Sequence, residues 1–394
     1  MLIVWIVIIL AIVTLAQIMR ISAIAMKIRN RREEDISDAD NNFNGIFLLL
    51  FLIFFLGGTI YLWAKYGNGM LPEAASEHGA ELDWLFNINW IIVFAVFFLT
   101  NSLLFGFAYK YRGKKGRKAY YFPHDNRLEM LWTIVPAVVL AVIIILGLRT
   151  WNSITGKPSE DAKVIELYGE QFKWTVRYSG EDNKLGFADY KLINGSNPLG
   201  VATAASIDSA INNRTDGILK TIEDLRIAIA ADSAGNDIYS VEELYEMRSK
   251  MEKYSRIKER IEKMQRQYEA ANSDLAVADD DRISKLELHL VKDQEYQFIF
   301  RAKDVMHSAY FPHFRAQMNC VPGMRTKFKF KPTISTKEMR VKRSNEDFNY
   351  VLLCNKICGV SHSNMKMIVV VDETQEEFDA WAAENTELAI ATTN

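Results

Sequence analysis

The run Cys354-Asn355-Lys356-Ile357-Cys358-Gly359-Val360-Ser361-His362-Ser363-Asn364-Met365 gathers two thiols, an imidazole and a thioether within one short stretch. It follows the strand-like Tyr350 to Leu353 and precedes the strand-like Met367 to Val371, so it reads as a loop that can turn several side chains onto one point. Thiolate, imidazole and thioether together suit a soft transition metal. Zinc rarely takes a thioether, whereas copper in electron-transfer sites often takes a weak methionine, which puts copper ahead. Zinc completed by a distant histidine, and a Cys354–Cys358 disulfide, remain as rivals. One strong ligand must come from elsewhere in the chain. Of His78, His124, His289, His307 and His313, the best placed is His307, at the end of the strand-like Tyr296 to Ala302 and its Lys303-Asp304-Val305-Met306 extension. His313, set in Phe311-Pro312-His313-Phe314, is the local rival and reads as packing. Cys320 reads as a packed thiol, and no Cys-x-x-Cys-His run offers covalent haem attachment.

A loop of this kind needs a rigid scaffold, and the chain supplies two contrasting parts. Residues 1–150 hold four apolar segments, about 2–19, 43–66, 86–109 and 129–149, each near the roughly 20 residues that cross a hydrocarbon core. The first lacks a basic segment before it and a clear cleavage pattern, so it reads as a span rather than a leader. The connector Lys27 to Arg32 is basic, Glu73 to Asp83 is acidic, and Lys110 to Lys118 is basic again. That alternation predicts cytoplasmic basic loops, with the termini and the large C-terminal part on the opposite, periplasmic side of a bacterial inner membrane. Glu129 opens the fourth span at its cytoplasmic mouth, where it reads as a cap or anchor, or as a site of proton uptake.

Beyond residue 150 short aromatic and β-branched runs predict strands at Val164 to Leu167, Phe172 to Tyr178, Leu286 to Leu290, Tyr296 to Ala302, Thr326 to Phe330 and Asn349 to Leu353. These form a sandwich or barrel over 151–200 and 285–374. Between them, residues 201–284 switch to helical periodicity with heavy charge, predicting an inserted α-helical hairpin that is either a solvated stabiliser or a docking arm. Residues 375–394 form a tail or short helix. A net charge of −2 gives no argument for nucleic acid.

The segment Asp304-Val305-Met306-His307-Ser308 together with Cys354 to Met365 resembles subunit II of haem–copper cytochrome c oxidases, which carries the binuclear copper centre called CuA. The resemblance extends over Arg127-Leu128-Glu129, Trp132-Thr133-Ile134, Pro136, Gln171 to Tyr178 and Pro322-Gly323. It implies a mixed α/β membrane protein: transmembrane helices plus an all-β, cupredoxin-like Greek-key barrel. It also implies that Cys354 and Cys358 bridge two coppers, that His307 and His362 each complete one, and that Met365 and the Lys356 carbonyl are weak ligands. Such a subunit does not reduce oxygen. It accepts electrons from cytochrome c, or from a cytochrome domain of a partner respiratory complex, and passes them to haem a in subunit I, beside subunit III. The alternatives are a quinol-oxidase-type scaffold and a copper-binding protein that only stores metal.

Two positions depart from the family pattern. Lys356 stands where a glutamate usually helps bind magnesium at the boundary with subunit I, so magnesium is not secure. Phe172 stands where the family has the tryptophan that receives electrons, with Trp174 retained nearby. Glu129 matches a glutamate near one proton path into subunit I.

Overall fold

The computed structural model describes residues 2–28, 36–194, 197–213, 217–233, 238–270 and 275–388. It divides into two compact units, Met1–Leu71 with Asn87–Leu140, and Pro72–Phe86 with Ala141–Asn394.

The apolar segments are helices that run past the predicted ends: α1 (Leu2–Ile28), α2 (Asp38–Tyr66), α3 (Glu77–Lys110) and α4 (Asn126–Thr155). Among the described residues α2, α3 and α4 are long and apolar enough to cross a membrane, and a shorter apolar stretch, Ile9–Ala25, lies in α1. The basic connector expected at Lys27 to Arg32 falls mostly outside the described residues. In α2 a capping box fixes the start, Ser37 accepting from the Asp40 amide while Asp40 accepts from that of Ser37. Ring pairs knit α2 to α3: Phe51 with Phe105 at 5.3 Å, Phe55 with Phe97 at 5.4 Å and Trp63 with Trp90 at 4.9 Å. The outward apolar faces stay uncovered by protein, as lipid-facing helices require.

The second unit is built from β1 (Lys163–Glu170), β2 (Lys173–Tyr178), α5 (Ala204–Asn212), α6 (Ile218–Ala231), α7 (Val241–Ala270), β3 (Arg282–Ser284), β4 (Glu287–Val291), β5 (Tyr296–Ala302), β6 (His307–Phe311), β7 (Ala316–Cys320), β8 (Thr326–Phe330), α8 (Thr336–Arg343), β9 (Tyr350–Cys354), β10 (Lys366–Asp372), α9 (Gln375–Asn385) and β11 (Glu387–Leu388). One sheet runs β11-β3-β2-β1-β5-β8 and the other β4-β10-β9-β6-β7. The expected closed barrel is therefore corrected to two sheets that no strand ladder joins among the described residues. The pairs β1/β5 and β4/β10 are parallel, so the chain crosses between sheets rather than running as a meander. Period-two alternation in β5 sends Tyr296, Phe298, Phe300 and Ala302 inward. Phe298 stacks on Phe330 at 4.7 Å and Phe314 on Phe330 at 5.0 Å, forming an aromatic core between the sheets.

Sequence periodicity located most strands but not β3, β6, β7 and β11, and Phe172 lies in the turn before β2 rather than in it. The insertion carries a third helix, α5, beyond the hairpin. Ile207 and Ile211 from α5 share a small core with Ile218 of α6 and Ile261 of α7. A further departure concerns Glu73 to Asp83, read from sequence only as an acidic connector. Ala75 donates to His313 O at 2.7 Å and accepts from the Thr333 amide at 2.9 Å, and Ser76 bridges Pro332. Asp83 takes Arg315 in a two-pronged ion pair at 2.8 and 2.9 Å, so this segment is part of the β domain.

Candidate metal centre

Four connections emerge from one end of the two sheets, and the strand registers show why. Glu170 faces Lys173 across the β1–β2 turn, Gly169 faces Ala302, His307 faces Cys320, and Lys366 faces Leu353. The β1–β2, β5–β6, β7–β8 and β9–β10 connections are thus neighbours in space though far apart in sequence. His307 opens β6 and Cys354 closes β9, which pair directly. Met365 is fixed by backbone bonding, because the Cys354 amide donates to Met365 O at 3.1 Å.

The ligating atoms predicted from sequence converge here. Cys354 Sγ lies 3.8 Å from Cys358 Sγ and 3.9 Å from His307 Nδ1. On the far side Cys358 Sγ lies 3.6 Å from His362 Nδ1 and 3.9 Å from Met365 Sδ. Lys356 O stands 3.2 Å from Cys354 Sγ. The imidazole, thiol, thiol and imidazole follow one another in that order, with the carbonyl beside one thiol and the thioether beside the other. Both thiols are free, and their spacing is far beyond the roughly 2 Å of a disulfide. His307, Cys354 and Cys358 also meet the distance test for a shared ion, with all three donors within 4.8 Å of one another. The donor set therefore fits a soft metal.

Neighbouring groups prepare these ligands. Asp304 Oδ1 lies 2.8 Å from His307 Nε2, which places the ring proton there and leaves the Nδ1 lone pair facing Cys354. Burial works against the Asp304 carboxylate, but hydrogen bonds from the Gln171 amide, His307 and the Val305 amide outweigh it and hold its pKa below the usual carboxylate range. Burial, then the adjoining Cys354, pushes the Cys358 thiol up to about 11, so at neutral pH it keeps its proton until a cation replaces it. Cys320 is fully buried and free behind His307, with burial raising its pKa to about 12.

The other predicted residues fall in three places. Phe172 is half-buried in the β1–β2 turn, against Gly359 of the cysteine loop. Trp174 is only 1% exposed and meets the His307 ring edge-on at 6.1 Å, so of these two aromatics only Phe172 reaches the surface. Glu129 lies in the first turn of α4, 3.8 Å from His124, but the helix cap is Asp125, whose Oδ1 accepts from the Arg127 and Leu128 amides. His313 packs edge-on against Phe348 and Tyr350, both at close ring distance. His289 is a structural imidazole, 2.9 Å from Asp372 and stacked on Trp381 at 3.8 Å.

Residues 62–150 match the family of cytochrome c oxidase subunit II transmembrane domains. The chain is 25% identical over 300 residues to an alternative cytochrome c oxidase subunit 2 of Bradyrhizobium diazoefficiens, covering 76% of this chain and 78% of that one. Over most of its length the chain is therefore similar to cytochrome c oxidase subunit II proteins. A subunit 2 of Thermostichus vulcanus is 23% identical over 336 residues, covering 84% of this chain and 83% of the relative. The crystal structure of the periplasmic domain of a cytochrome oxidase subunit II from Bradyrhizobium japonicum is 13% identical, covers 58% of this chain and 95% of that one, and gives a TM-score of 0.27. With three helices of membrane-crossing length among the described residues, the chain is a multi-pass membrane protein. Asp304 and Gln171, which touch His307 and the Cys358 carbonyl, were read from sequence only as parts of longer segments and given no role of their own. Their only sequence signal is position beside His307 and in the aromatic turn.

Proposed function

We propose that this chain is the electron-accepting subunit of a respiratory haem–copper terminal oxidase, with a binuclear CuA centre held by Cys354, Cys358, His307, His362, Met365 and the Lys356 carbonyl. The observation that carries the reading is the run of close donor contacts from His307 to Cys354 to Cys358 to His362, with an imidazole nitrogen beside each of two adjoining thiols. Bound there, the copper pair supplies a one-electron carrier that cycles without making or breaking covalent bonds. The chain's residues hold the ligand positions nearly constant: strand ends fix His307 and Cys354, Asp304 fixes the His307 ring, and burial of Met365 keeps water from one side. No side chain has to act as acid, base or nucleophile.

The donor is cytochrome c or a cytochrome domain of a partner complex, meeting the surface at Phe172, and the acceptor is haem a of subunit I, with subunit III in the same assembly. The basic, acidic, basic order of the connectors places the β domain on the periplasmic face of a bacterial inner membrane. Lys356 presents an exposed ammonium where the family carries a carboxylate, a poor partner for magnesium. Metal analysis with electron paramagnetic resonance of the purified oxidase tests the reading. Two coppers per chain with a mixed-valence signal, lost together in Cys354→Ser, are expected. One copper, one zinc or a metal-free chain would refute it in favour of a storage or scaffold role.

A further inference from the structure

The middle of the cysteine loop has few attachments. Residues 354, 355 and 365 are tied by backbone bonds, Cys354 to Met365 and Asn355 to Ser308 O at 2.9 Å. Across 356–361, among the described residues, one hydrogen bond reaches another strand or loop: Gln171 Nε2 donates to Cys358 O at 2.5 Å. The Gln171 backbone amide in turn donates to Asp304 Oδ2 at 2.7 Å, and Asp304 Oδ1 holds His307. The turn also sits hard on the loop, since a Cβ at Gly359 would fall 2.9 Å from Gln171 Nε2 and 2.8 Å from the Phe172 ring.

We infer that Gln171 is a positioning residue that clamps the cysteine loop to the histidine loop through Asp304, setting the Cys358 to His307 geometry. One residue grips both halves of the centre, its side chain on the Cys358 carbonyl and its backbone on the carboxylate that orients His307. The assignment rests on the proposed copper site for its consequence but not for its geometry.

The test uses the full-length chain in mild detergent with Gln171→Ala and Gln171→Glu. Amide hydrogen exchange over residues 355–365 is measured on metal-free protein, and release of copper to a Cu(I) chelator on loaded protein. Glutamate keeps the shape of glutamine but, ionised, has no proton to donate. Both variants are expected to exchange faster in this loop and to release copper about tenfold faster than the unaltered chain, the usual scale for losing an outer contact to a ligand. Loosening in Gln171→Ala but not in Gln171→Glu would overturn the inference, because bulk rather than the donated bond would then hold the carbonyl. Unchanged exchange in both would also overturn it. Failure of the unaltered chain to bind two coppers would instead refute the proposed function, leaving the exchange result to judge the clamp.

Discussion

Replacing Gly359 by alanine tests how tightly the cysteine loop is built. Gly359 has φ +143°, a backbone region that L-residues avoid, so the methyl group brings strain of about 1–3 kcal/mol. It also lands 2.8 and 2.9 Å from two Phe172 ring atoms and 2.9 Å from Gln171 Nε2, so the half-buried ring must swing out and lose contacts worth about 1 kcal/mol. The total is about 2–4 kcal/mol. Gly323 is the matched control: it has φ +77° and nothing within 4 Å of the place an added methyl group would occupy, so Gly323→Ala carries only the conformational term of about 1 kcal/mol. Urea midpoints, read from hydrogen exchange of β-sheet amides in the full chain, give both values. Equal losses in the two variants, or a Gly359→Ala chain within about 0.5 kcal/mol of the unaltered one, would refute the close seating of the β1–β2 turn on this loop.

Burial, reinforced by Arg343 and Arg315 and opposed by Glu73, pushes the His313 pKa down to about 4. A folded pKa below the unfolded one means the unfolded chain binds more protons between about 4 and 6.5, so stability falls as pH drops through that window. In His313→Phe, whose ring suits the Phe348 and Tyr350 neighbours, that acid loss of up to about 3 kcal/mol should disappear from the pH dependence of urea midpoints. Arg177→Ala should cost about 3 kcal/mol in the same assay, because it removes the cation that lies 3.4 Å from the buried Asp281 and leaves Glu166, paired to it at 3.0 Å, with Arg301 alone at 3.3 Å. Glu129→Gln should slow oxidase turnover if the carboxyl feeds protons to the complex, and unchanged turnover would restrict Glu129 to an anchoring role.

The candidate centre was legible because most of its donor groups sit in one loop, where residue type and spacing alone point to a soft metal. His307 needed its flanking Asp304-Val305 and the family resemblance, since β6 and β7 alternate too weakly to announce themselves: Ala316, Gln317, Met318 and Asn319 carry no strong β pattern. The clamp was not legible, because Gln171 meets Asp304 across 133 positions and Cys358 across 187. Hydropathy found the helices, while their ends were set by Ser37 and Asp125, polar residues that a hydropathy window averages away. Trp174 was legible as an aromatic of the site but not as a buried one, because its depth depends on His307 of β6 and Gly169 of β1 lying against it.

Segment 72–86 has a practical bearing on how the β domain can be produced. Because Ala75 and Ser76 complete hydrogen bonds of the 313–333 region and His78 lies edge-on to Phe328, a fragment cut after the last membrane helix would leave backbone groups and aromatic rings bare along that border. The hydrophilic half of this protein is stitched from two distant pieces of chain, and a water-soluble version needs the short piece grafted back on.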